Sequence, residues 1–374
     1  MDREGLPGMA VGSRQSAVGK GISALNLQTP HSGYHWDGSD RRFFEGWYFR
    51  VTLPSEGQSF AFMYSIDDPA GGQPQSGGAA QILGPDEQYF CRTLPDVTGF
   101  RAAYDHLSLQ HWRSPSNALP FPLPPSPFPS NAEGYQATAT LNQGQLKDPV
   151  SGQWVRWQYE TTPVYGWGNL GESQLATAGW LSYMPFTEPG WQVLMAHGLA
   201  KGWVEWQGQR YTFENAPAYA EKNWGGAFPT KWFWLQCNAF EGQPDLTVTS
   251  AGGLREVLGR SEAVGLIVVH WCDLIYPFAS THGPFTWEIA PWGSWQLTAH
   301  RGLHRIVLSG TTGDPGNLVR VPTRDGLQFL CRDTTHGHLT LQLYERDQLM
   351  VEAQSDLAGL EVGGGPWETT WRRS

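Results

Sequence analysis

The sequence has few cysteines, few lysines and no long apolar run, and each shortage excludes a class of protein. The four cysteines lie far apart, and the lack of a C-x-x-C pair argues against zinc or thiol exchange and favours a reducing compartment. Only five lysines are present, and 35 acidic against 25 basic residues give a net charge of −10, so we expect no nucleic-acid partner. No segment approaches about eighteen consecutive apolar residues, so we expect a soluble chain without a membrane-spanning helix.

Motifs for nucleotides, metals and serine nucleophiles are also missing. Neither a G-x-S-x-G elbow nor a G-x-x-x-x-G-K-[ST] loop is present. The string G-x-G-x-x-G occurs at Gly166–Gly171, but no helical spacing of apolar residues follows it, so we interpret it as a turn. The pair His336/His338 shares a strand face but has no carboxylate-rich companion. We therefore expect no cofactor and no metal.

Aromatic and β-branched segments are abundant instead, and 19 of the 374 residues are tryptophan. Leu339–Tyr344 alternates apolar and polar residues, which is typical of a half-buried strand, and no long amphipathic helix is found. The many short strand and turn signals predict an all-β fold of sandwich or barrel type. Segments that flank short turns predict three hairpins: Trp47–Thr52 with Ser59–Tyr64, Gly202–Trp206 with Arg210–Phe213, and Pro284–Ile289 with Ser294–Thr298.

A weak internal repeat predicts two halves. Trp47–Phe49 and Trp232–Trp234 each open an aromatic strand, and each half closes on a glycine-rich turn with a tryptophan. The sequence therefore predicts a flexible tail over residues 1–26, one β domain over 27–228 and a second over 229–374. Two antiparallel barrels of this size hold apolar ligands in their mouths or between them. The proline-rich segment 115–130 is predicted to be an irregular loop.

Two glutamates lie among aromatic residues. Glu45 precedes Trp47 at the start of the first strong strand, and Glu221 lies between Tyr219 and Trp224. A carboxyl group in such surroundings either pairs with a neighbouring cation or is desolvated, with a raised pKa. For these two residues the neighbouring cations are Arg41, Arg42 and Lys222. The sequence leaves both interpretations open.

Seven aromatic segments carry a family resemblance. They are TPHSGYHWDG (29–38), FFEGWYFRV (43–51), TPVYGWG (162–168), EKNWGG (221–226), FPTKWFW (228–234), WEIAPWG (287–293) and GGGPW (363–367). In these segments the chain resembles the tocopherol cyclase family, over roughly residues 28 to 370. This resemblance implies the chromanol-forming cyclase of vitamin E synthesis and, through a more distant similarity to carotenoid 1,2-hydratases, two lipocalin-like β-barrel domains packed around an apolar cavity.

The implied reaction closes a ring on a phytyl benzoquinol. 2,3-Dimethyl-6-phytyl-1,4-benzoquinol gives γ-tocopherol, and methylphytylbenzoquinol gives δ-tocopherol. The prenyl double bond takes up a proton and the phenol oxygen attacks the resulting tertiary cation, so a protonated, desolvated carboxylic acid is needed. Aromatic faces, those of tryptophan above all, stabilise positive charge.

Candidate site residues follow from these needs. Glu221 is the first candidate acid and Glu45 the second, and we expect both to face one cavity; Asp273 and Asp333 are lesser candidates. The other candidates are Lys222 and Asn223 to orient the quinol or tune the acid, His31 or His35 to accept the phenolic proton, Trp47, Trp224, Trp232 and Trp234 to line the tail, and Tyr34 and Tyr48 to hydrogen-bond the phenol. Strand packing alone is the alternative explanation for each.

Two other functions use the same features. A hydratase of isoprenoid alkenes would admit water to the cation, and a lipocalin-like carrier would bind prenylquinones without turnover. We expect a lipophilic phytyl benzoquinol as the partner, with peripheral membrane contact. The start of the sequence shows no secretory or organelle-targeting pattern, which predicts a cyanobacterial protein in the cytoplasm or at the periphery of the thylakoid membrane.

Overall fold

The computed structural model describes residues 27–113, 121–122, 132–149, 151–183, 189–257 and 260–374. The predicted tail at 1–26 and most of the predicted loop at 115–130 lie outside these ranges. Within them, no helix is long and apolar enough to cross a membrane. Single 3-10 helical segments lie at Pro54–Glu56, Pro85–Glu87, Val97–Gly99 and Gly179–Tyr183.

Two antiparallel sheets contain the strands, which confirms the all-β prediction. The first sheet has the order β4-β3-β2-β1-β11-β10-β9-β8-β7-β6-β5, so β1 pairs with the last strand of its own half. Its strands are β1 (Phe44–Leu53), β2 (Gln58–Asp67), β3 (Gly77–Leu83), β4 (Tyr89–Leu94), β5 (Phe100–Ala102), β6 (Ser108–Arg113), β7 (Glu133–Thr138), β8 (Leu141–Lys147), β9 (Trp154–Tyr165), β10 (Gly190–Trp206) and β11 (Gln209–Gly225).

The second sheet has the order β15-β14-β13-β12-β21-β20-β18-β17-β16-β22, with β19 paired to β20. Its strands are β12 (Lys231–Cys237), β13 (Thr247–Val257), β14 (Arg260–Trp271), β15 (Leu274–Ala279), β16 (Phe285–Ile289), β17 (Ser294–Arg301), β18 (His304–Thr311), β19 (Asn317–Thr323), β20 (Gly326–Glu345), β21 (Gln348–Gly364) and β22 (Trp371–Arg373). The chain changes sheet between Gly225 and Lys231. This supports the division near residue 228, which stays a prediction.

The three predicted hairpins form, because their turns carry residues that accept the required backbone angles. β10 and β11 are joined by Gln207 and Gly208, with φ of 50° and 88°, and positive φ at both central residues is what a two-residue hairpin needs. Gly57, with φ of 61°, ends the connection between β1 and β2. The third hairpin pairs β16 with β17.

The first sheet curls back on itself. In its strand order β2 and β7 are six positions apart, about 29 Å in a flat sheet at the usual strand spacing. Yet the rings of Tyr64 on β2 and Tyr135 on β7 stack with centroids 4.0 Å apart. Phe62 likewise contacts Trp157 on β9, at 5.1 Å. The inner face of the curled sheet therefore forms one aromatic core, and a cavity of about 560 Å³ opens within it.

The second sheet curls in the same way. β12 and β16 are five positions apart, about 24 Å if the sheet were flat. The rings of Phe233 on β12 and Trp287 on β16 are 5.3 Å apart, and Phe233 also meets Trp371 on β22. Both halves are thus curled, barrel-like sheets with their own apolar cores, as predicted.

Side chains of β1 alternate between the two cores. Trp47, Phe49 and Val51 point into the core of the first sheet, whereas Tyr48 and Arg50 point towards the second sheet. The fully buried Arg50 guanidinium donates hydrogen bonds to the Gln236 side chain on β12, at 3.0 Å, and to the carbonyls of Thr335 and Leu357, at 2.9 and 2.7 Å. This residue ties the two sheets together.

Candidate active site

Glu221 lies on the face of the first sheet that contacts the second sheet. On β11 it stands directly opposite Tyr48 of β1, and residues directly opposite each other in an antiparallel pair share a face. Trp234, on β12 of the second sheet, packs its ring 5.3 Å from that of Tyr48. The site is therefore built from both sheets.

One oxygen of the Glu221 carboxyl group accepts three hydrogen bonds. Tyr219 Oη donates to Oε2 at 2.6 Å, Trp191 Nε1 at 3.0 Å and Trp234 Nε1 at 3.1 Å. The described contacts leave Oε1 without a hydrogen bond. Because Oε2 is occupied by donors, a proton on this carboxyl group lies on Oε1. No cation pairs with Glu221 among the described residues.

Burial raises the pKa of Glu221 from 4.5 to about 7. The hydrogen bonds from Tyr219, Trp191 and Trp234 act in the opposite direction, and the nearby Glu361 carboxyl group adds to the increase. The Tyr48 hydroxyl, which is buried without a hydrogen-bond partner in the described structure, keeps its proton because burial raises its pKa well above 10.0. Glu221 is thus an acid that holds or releases a proton near neutral pH.

The donors to this carboxyl group belong to or pack against an aromatic cluster between the sheets. Partly exposed apolar side chains from both sheets pack against this cluster, which includes Trp234 and Tyr219. The carboxyl group therefore lies beside apolar and aromatic surroundings. The partly exposed residues are Val164, Leu170, Trp191, Ala251, Leu266 and Ile275.

Two more carboxyl groups are buried at the same interface. Asp333 and Glu361 stand opposite each other on β20 and β21, and Trp232 Nε1 donates a hydrogen bond to Glu361. Both oxygens of Asp333 are buried without a hydrogen-bond partner in the described structure. Burial raises the pKa of both groups, and for Asp333 the nearby Glu361 contributes further. The lesser candidate Asp333 thus lies near the site, whereas Asp273 lies in an exposed turn after β14.

Glu45 is on the opposite face of the same strands, so the expectation that it shares a cavity with Glu221 is wrong. Its carboxyl group and the Lys222 ammonium are fully buried and 2.5 Å apart. Lys222 Nζ also donates to the Gly33 carbonyl at 2.5 Å, and the His35 backbone N–H donates to Glu45 at 2.8 Å. Burial alone would raise the pKa of Glu45, but Lys222 and His35 lower it below its usual value. This pair is a structural ion pair.

The two histidines and four further candidates also lie on the Glu45 side of the strands, away from Glu221. His31 Nδ1 lies 3.2 Å from His35 Nε2, and burial lowers the pKa of His31 to about 4, so it is a neutral imidazole. His35 stacks on Trp224, with centroids 3.9 Å apart. Lys222, Trp47 and Tyr34 complete this group, and its members belong to the first-sheet side of β1 and β11, away from Glu221.

The structure brings Tyr48, Trp232 and Trp234 to the interface with Glu221, and Asn223 lies on the same face opposite Trp191. Trp191, Tyr219 and Glu361 were not among the site residues predicted from the sequence. Tyr219 could have been predicted, because a residue two positions before Glu221 on a strand lies on the same face of the sheet. Nothing local to Trp191 or Glu361 signals the site, since both reach it from other strands.

The geometry defines a class of protein: two curled β-sheets that hold a buried, protonatable carboxyl group beside an aromatic cluster between them. The chain belongs to the tocopherol cyclase-like family, whose model matches residues 41–364. It is 43% identical to a probable chloroplastic tocopherol cyclase of Oryza sativa subsp. japonica over 92% of this chain and 80% of the relative. It is 41% identical to the chloroplastic tocopherol cyclase of Zea mays over 93% of this chain and 80% of that relative. These matches confirm the family, the enzyme class and the cyclase function that the sequence predicts.

Solved structures also align over most of this chain, at low sequence identity. Kievitone hydratase from Nectria haematococca gives a TM-score of 0.46 at 12% identity, over 93% of this chain and 94% of that one. The structure of CghA gives a TM-score of 0.49 at 9% identity, over 91% of this chain and 97% of that one.

Proposed function

We propose that this chain closes the chromanol ring of phytyl benzoquinols with Glu221 as the proton donor. The substrates are 2,3-dimethyl-6-phytyl-1,4-benzoquinol, which gives γ-tocopherol, and methylphytylbenzoquinol, which gives δ-tocopherol. One observation carries the proposal: a buried carboxyl group beside an aromatic cluster has three donors on one oxygen and none on the other. The names of the plant relatives support the choice of reaction.

The proton moves from Glu221 Oε1 to the less substituted carbon of the prenyl double bond. The tertiary carbon becomes cationic, the phenol oxygen bonds to it, and the phenolic proton returns to the Glu221 carboxylate. No atom is gained or lost and no redox change occurs, so the reaction is an isomerisation. Because the tail already links the two reacting groups, the protein mainly has to hold the folded conformer of the substrate.

The hydrogen bonds at Oε2 stabilise the carboxylate that forms as the proton leaves. Tyr219, Trp191 and Trp234 are preorganised donors to the carboxylate, whose negative charge develops as the proton is transferred. Trp191 and Trp234, whose N–H groups bond the acid, are also of the residue type that best stabilises a cation, so a tertiary cation formed beside Glu221 has tryptophan side chains near it. The site therefore stabilises both charges of the transition state.

Turnover in deuterated water tests the reaction class. Purified chain, incubated under reducing conditions with the dimethyl quinol, is expected to give a chromanol carrying one non-exchangeable deuterium. A product that contains oxygen from labelled water would support the hydratase alternative. Binding of the quinol without any product would support the carrier alternative.

We also propose that the enzyme works at the periphery of a thylakoid membrane, where its lipophilic substrate partitions. The chloroplastic relatives support a photosynthetic membrane as the location. Flotation of the purified chain with vesicles of thylakoid lipids, against vesicles of neutral phosphatidylcholine, tests this contact. Recovery of the chain in the lipid-free fraction with both vesicles would contradict it.

A further inference from the structure

The hairpin formed by β19 and the first part of β20 lies next to the candidate site. On one face, Val319 stands opposite Cys331, and both belong to a buried cluster that includes Trp232. Tyr48, the residue directly opposite Glu221 in the register of β1 and β11, packs against this cluster. The inner face of the hairpin therefore adjoins the surroundings of the acid.

The other face of the hairpin is exposed. Leu318 on β19 stands opposite Arg332 on β20. Two residues further along β19, on the same face, Arg320 stands opposite Phe329, and a β-bulge leaves Leu330 without an opposite residue. Leu318, Phe329 and Leu330 are 52%, 55% and 45% exposed. These five residues form what we call the hairpin patch, and large apolar side chains grouped in this way mark an interaction surface more often than a single exposed leucine does.

The hairpin is basic, although the chain as a whole is acidic. Residues 317–332 include three arginines and one aspartate, whereas the whole chain has a net charge of −10. In the described ranges, Arg324 at the turn and Arg332 form no ion pair with an acidic side chain. Arg332 instead lies 5.5 Å from the centre of the Trp292 ring. Positive charge without a counter-ion therefore adjoins the exposed apolar side chains.

An anionic lipid bilayer complements both properties of this surface. Apolar side chains enter the layer below the headgroups, while long cationic side chains keep their charge among the lipid phosphates. Each arginine near an anionic bilayer surface strengthens binding by about fivefold. A second copy of the chain fits less well, because a two-fold symmetric contact places the same unpaired arginines against one another.

We propose that the chain docks on anionic lipid bilayers through the hairpin patch. This inference rests on the proposed membrane contact and names the surface that makes it. Docking here brings the part of the molecule next to Glu221 to the bilayer that holds the lipophilic substrate.

Flotation of the full chain with vesicles tests this surface. Vesicles of phosphatidylcholine alone are compared with vesicles that also contain phosphatidylglycerol, an anionic lipid. The unaltered chain is expected to float with the anionic vesicles, and less so at high salt, which screens the charges. Arg324→Gln and Arg332→Gln should each weaken this binding about fivefold, and Phe329→Ala about tenfold.

Trp180→Ala is the matched control, because Trp180 is 70% exposed but belongs to the 3-10 segment Gly179–Tyr183, outside the patch. It should float as the unaltered chain does. Equal flotation of the unaltered, Phe329→Ala and Arg332→Gln chains would overturn the hairpin patch and leave membrane contact through another surface standing. If the unaltered chain binds neither kind of vesicle, the membrane contact and the patch both fail.

Two further measurements separate this inference from its alternatives. Sedimentation velocity without lipid compares the unaltered chain with Phe329→Ala, and a dimer that only the unaltered chain forms would show that a second copy covers the patch. Turnover of quinol dispersed in detergent should be unchanged in Phe329→Ala, because Phe329 is exposed and does not contact the acid. A failure of Glu221 as the acid would therefore leave the docking surface standing.

Discussion

Glu45 and Glu221 project from opposite faces of one hydrogen-bonded strand pair. Glu45 is opposite Trp224 in the register of β1 and β11, and Tyr48 is opposite Glu221 three positions further along. Since the side-chain period of a strand is two, an odd step exchanges the faces. Glu45 meets the Lys222 ammonium, and Glu221 meets only hydrogen-bond donors. Two glutamates in similar aromatic surroundings therefore have different chemistry.

Glu221→Gln should abolish most of the turnover. The amide keeps an oxygen for the three donors but has no acidic proton, so we expect kcat to fall by about 10²- to 10⁴-fold while the quinol still binds. The measurement is single-turnover cyclisation beside quinol binding on the same preparation. A folded Glu221→Gln chain with a near-normal rate would remove Glu221 from the mechanism and direct attention to Asp333.

Glu45→Gln is the matched comparison on the opposite face, and it should affect stability instead. The change leaves the Lys222 ammonium fully buried without its counter-ion, which costs about 3–5 kcal/mol. We expect a lower thermal midpoint and a rate per folded molecule within a few-fold of the unaltered chain. Thermal unfolding followed by circular dichroism, with activity corrected for the folded fraction, checks this. A fully stable Glu45→Gln chain with a large loss of turnover would make Glu45 the acid.

Local sequence patterns predicted the secondary structure and the hairpins well. The Gln207–Gly208 turn and the alternating aromatic runs act over a few residues, so their outcome depends little on the rest of the chain. The curl of each sheet could not be predicted in the same way. It depends on contacts such as that of Tyr64 with Tyr135, which join distant strands.

The site was predictable only in part, for the same reason. Glu221 could be chosen for its aromatic neighbours, but whether it or Glu45 has a counter-ion depends on the register between β1 and β11, more than 170 residues apart along the chain. Trp191 and Trp234 come from two further strands. The sequence shows which groups are unusual, and the strand pairing decides which of them meet.

The pH dependence of cyclisation should follow the ionisation of Glu221. The acid must be protonated, and burial raises its pKa to about 7. We therefore expect kcat/KM to be constant at lower pH and to fall as the pH rises through about 7, by about tenfold per pH unit well above it. Anaerobic assays with reductant keep the substrate as quinol across the range. A rate that rises through the same interval would contradict a Glu221 acid.

Tyr219→Phe should shift the decline of kcat/KM to higher pH. The Tyr219 hydroxyl donates to the Glu221 carboxylate at 2.6 Å and lowers the pKa of Glu221, so its loss raises that pKa. The expected shift is up to about one pH unit, with a lower maximal rate, because the carboxylate formed in the reaction loses a donor. Tyr135→Phe, in the core of the first sheet, is the control. An unchanged limb in Tyr219→Phe would show that another group titrates.

The stability of Glu221→Gln relative to the unaltered chain should depend on pH. Glu221 has its ordinary pKa of 4.5 when unfolded and about 7 when folded, so the folded state binds the proton more tightly. The protonated Glu221 contributes its full share to the free energy of unfolding below about pH 4.5. This contribution is lost as the pH rises through 7, because the folded chain must then hold a buried carboxylate. Glutamine has no such charge. We therefore expect the two chains to unfold at similar temperatures near pH 5, and Glu221→Gln to be more stable by roughly 3 kcal/mol above about pH 8. Thermal midpoints of both chains, measured across this pH range, check which chain is the more stable. A difference between the two midpoints that does not change with pH would mean that folding does not raise the pKa of Glu221.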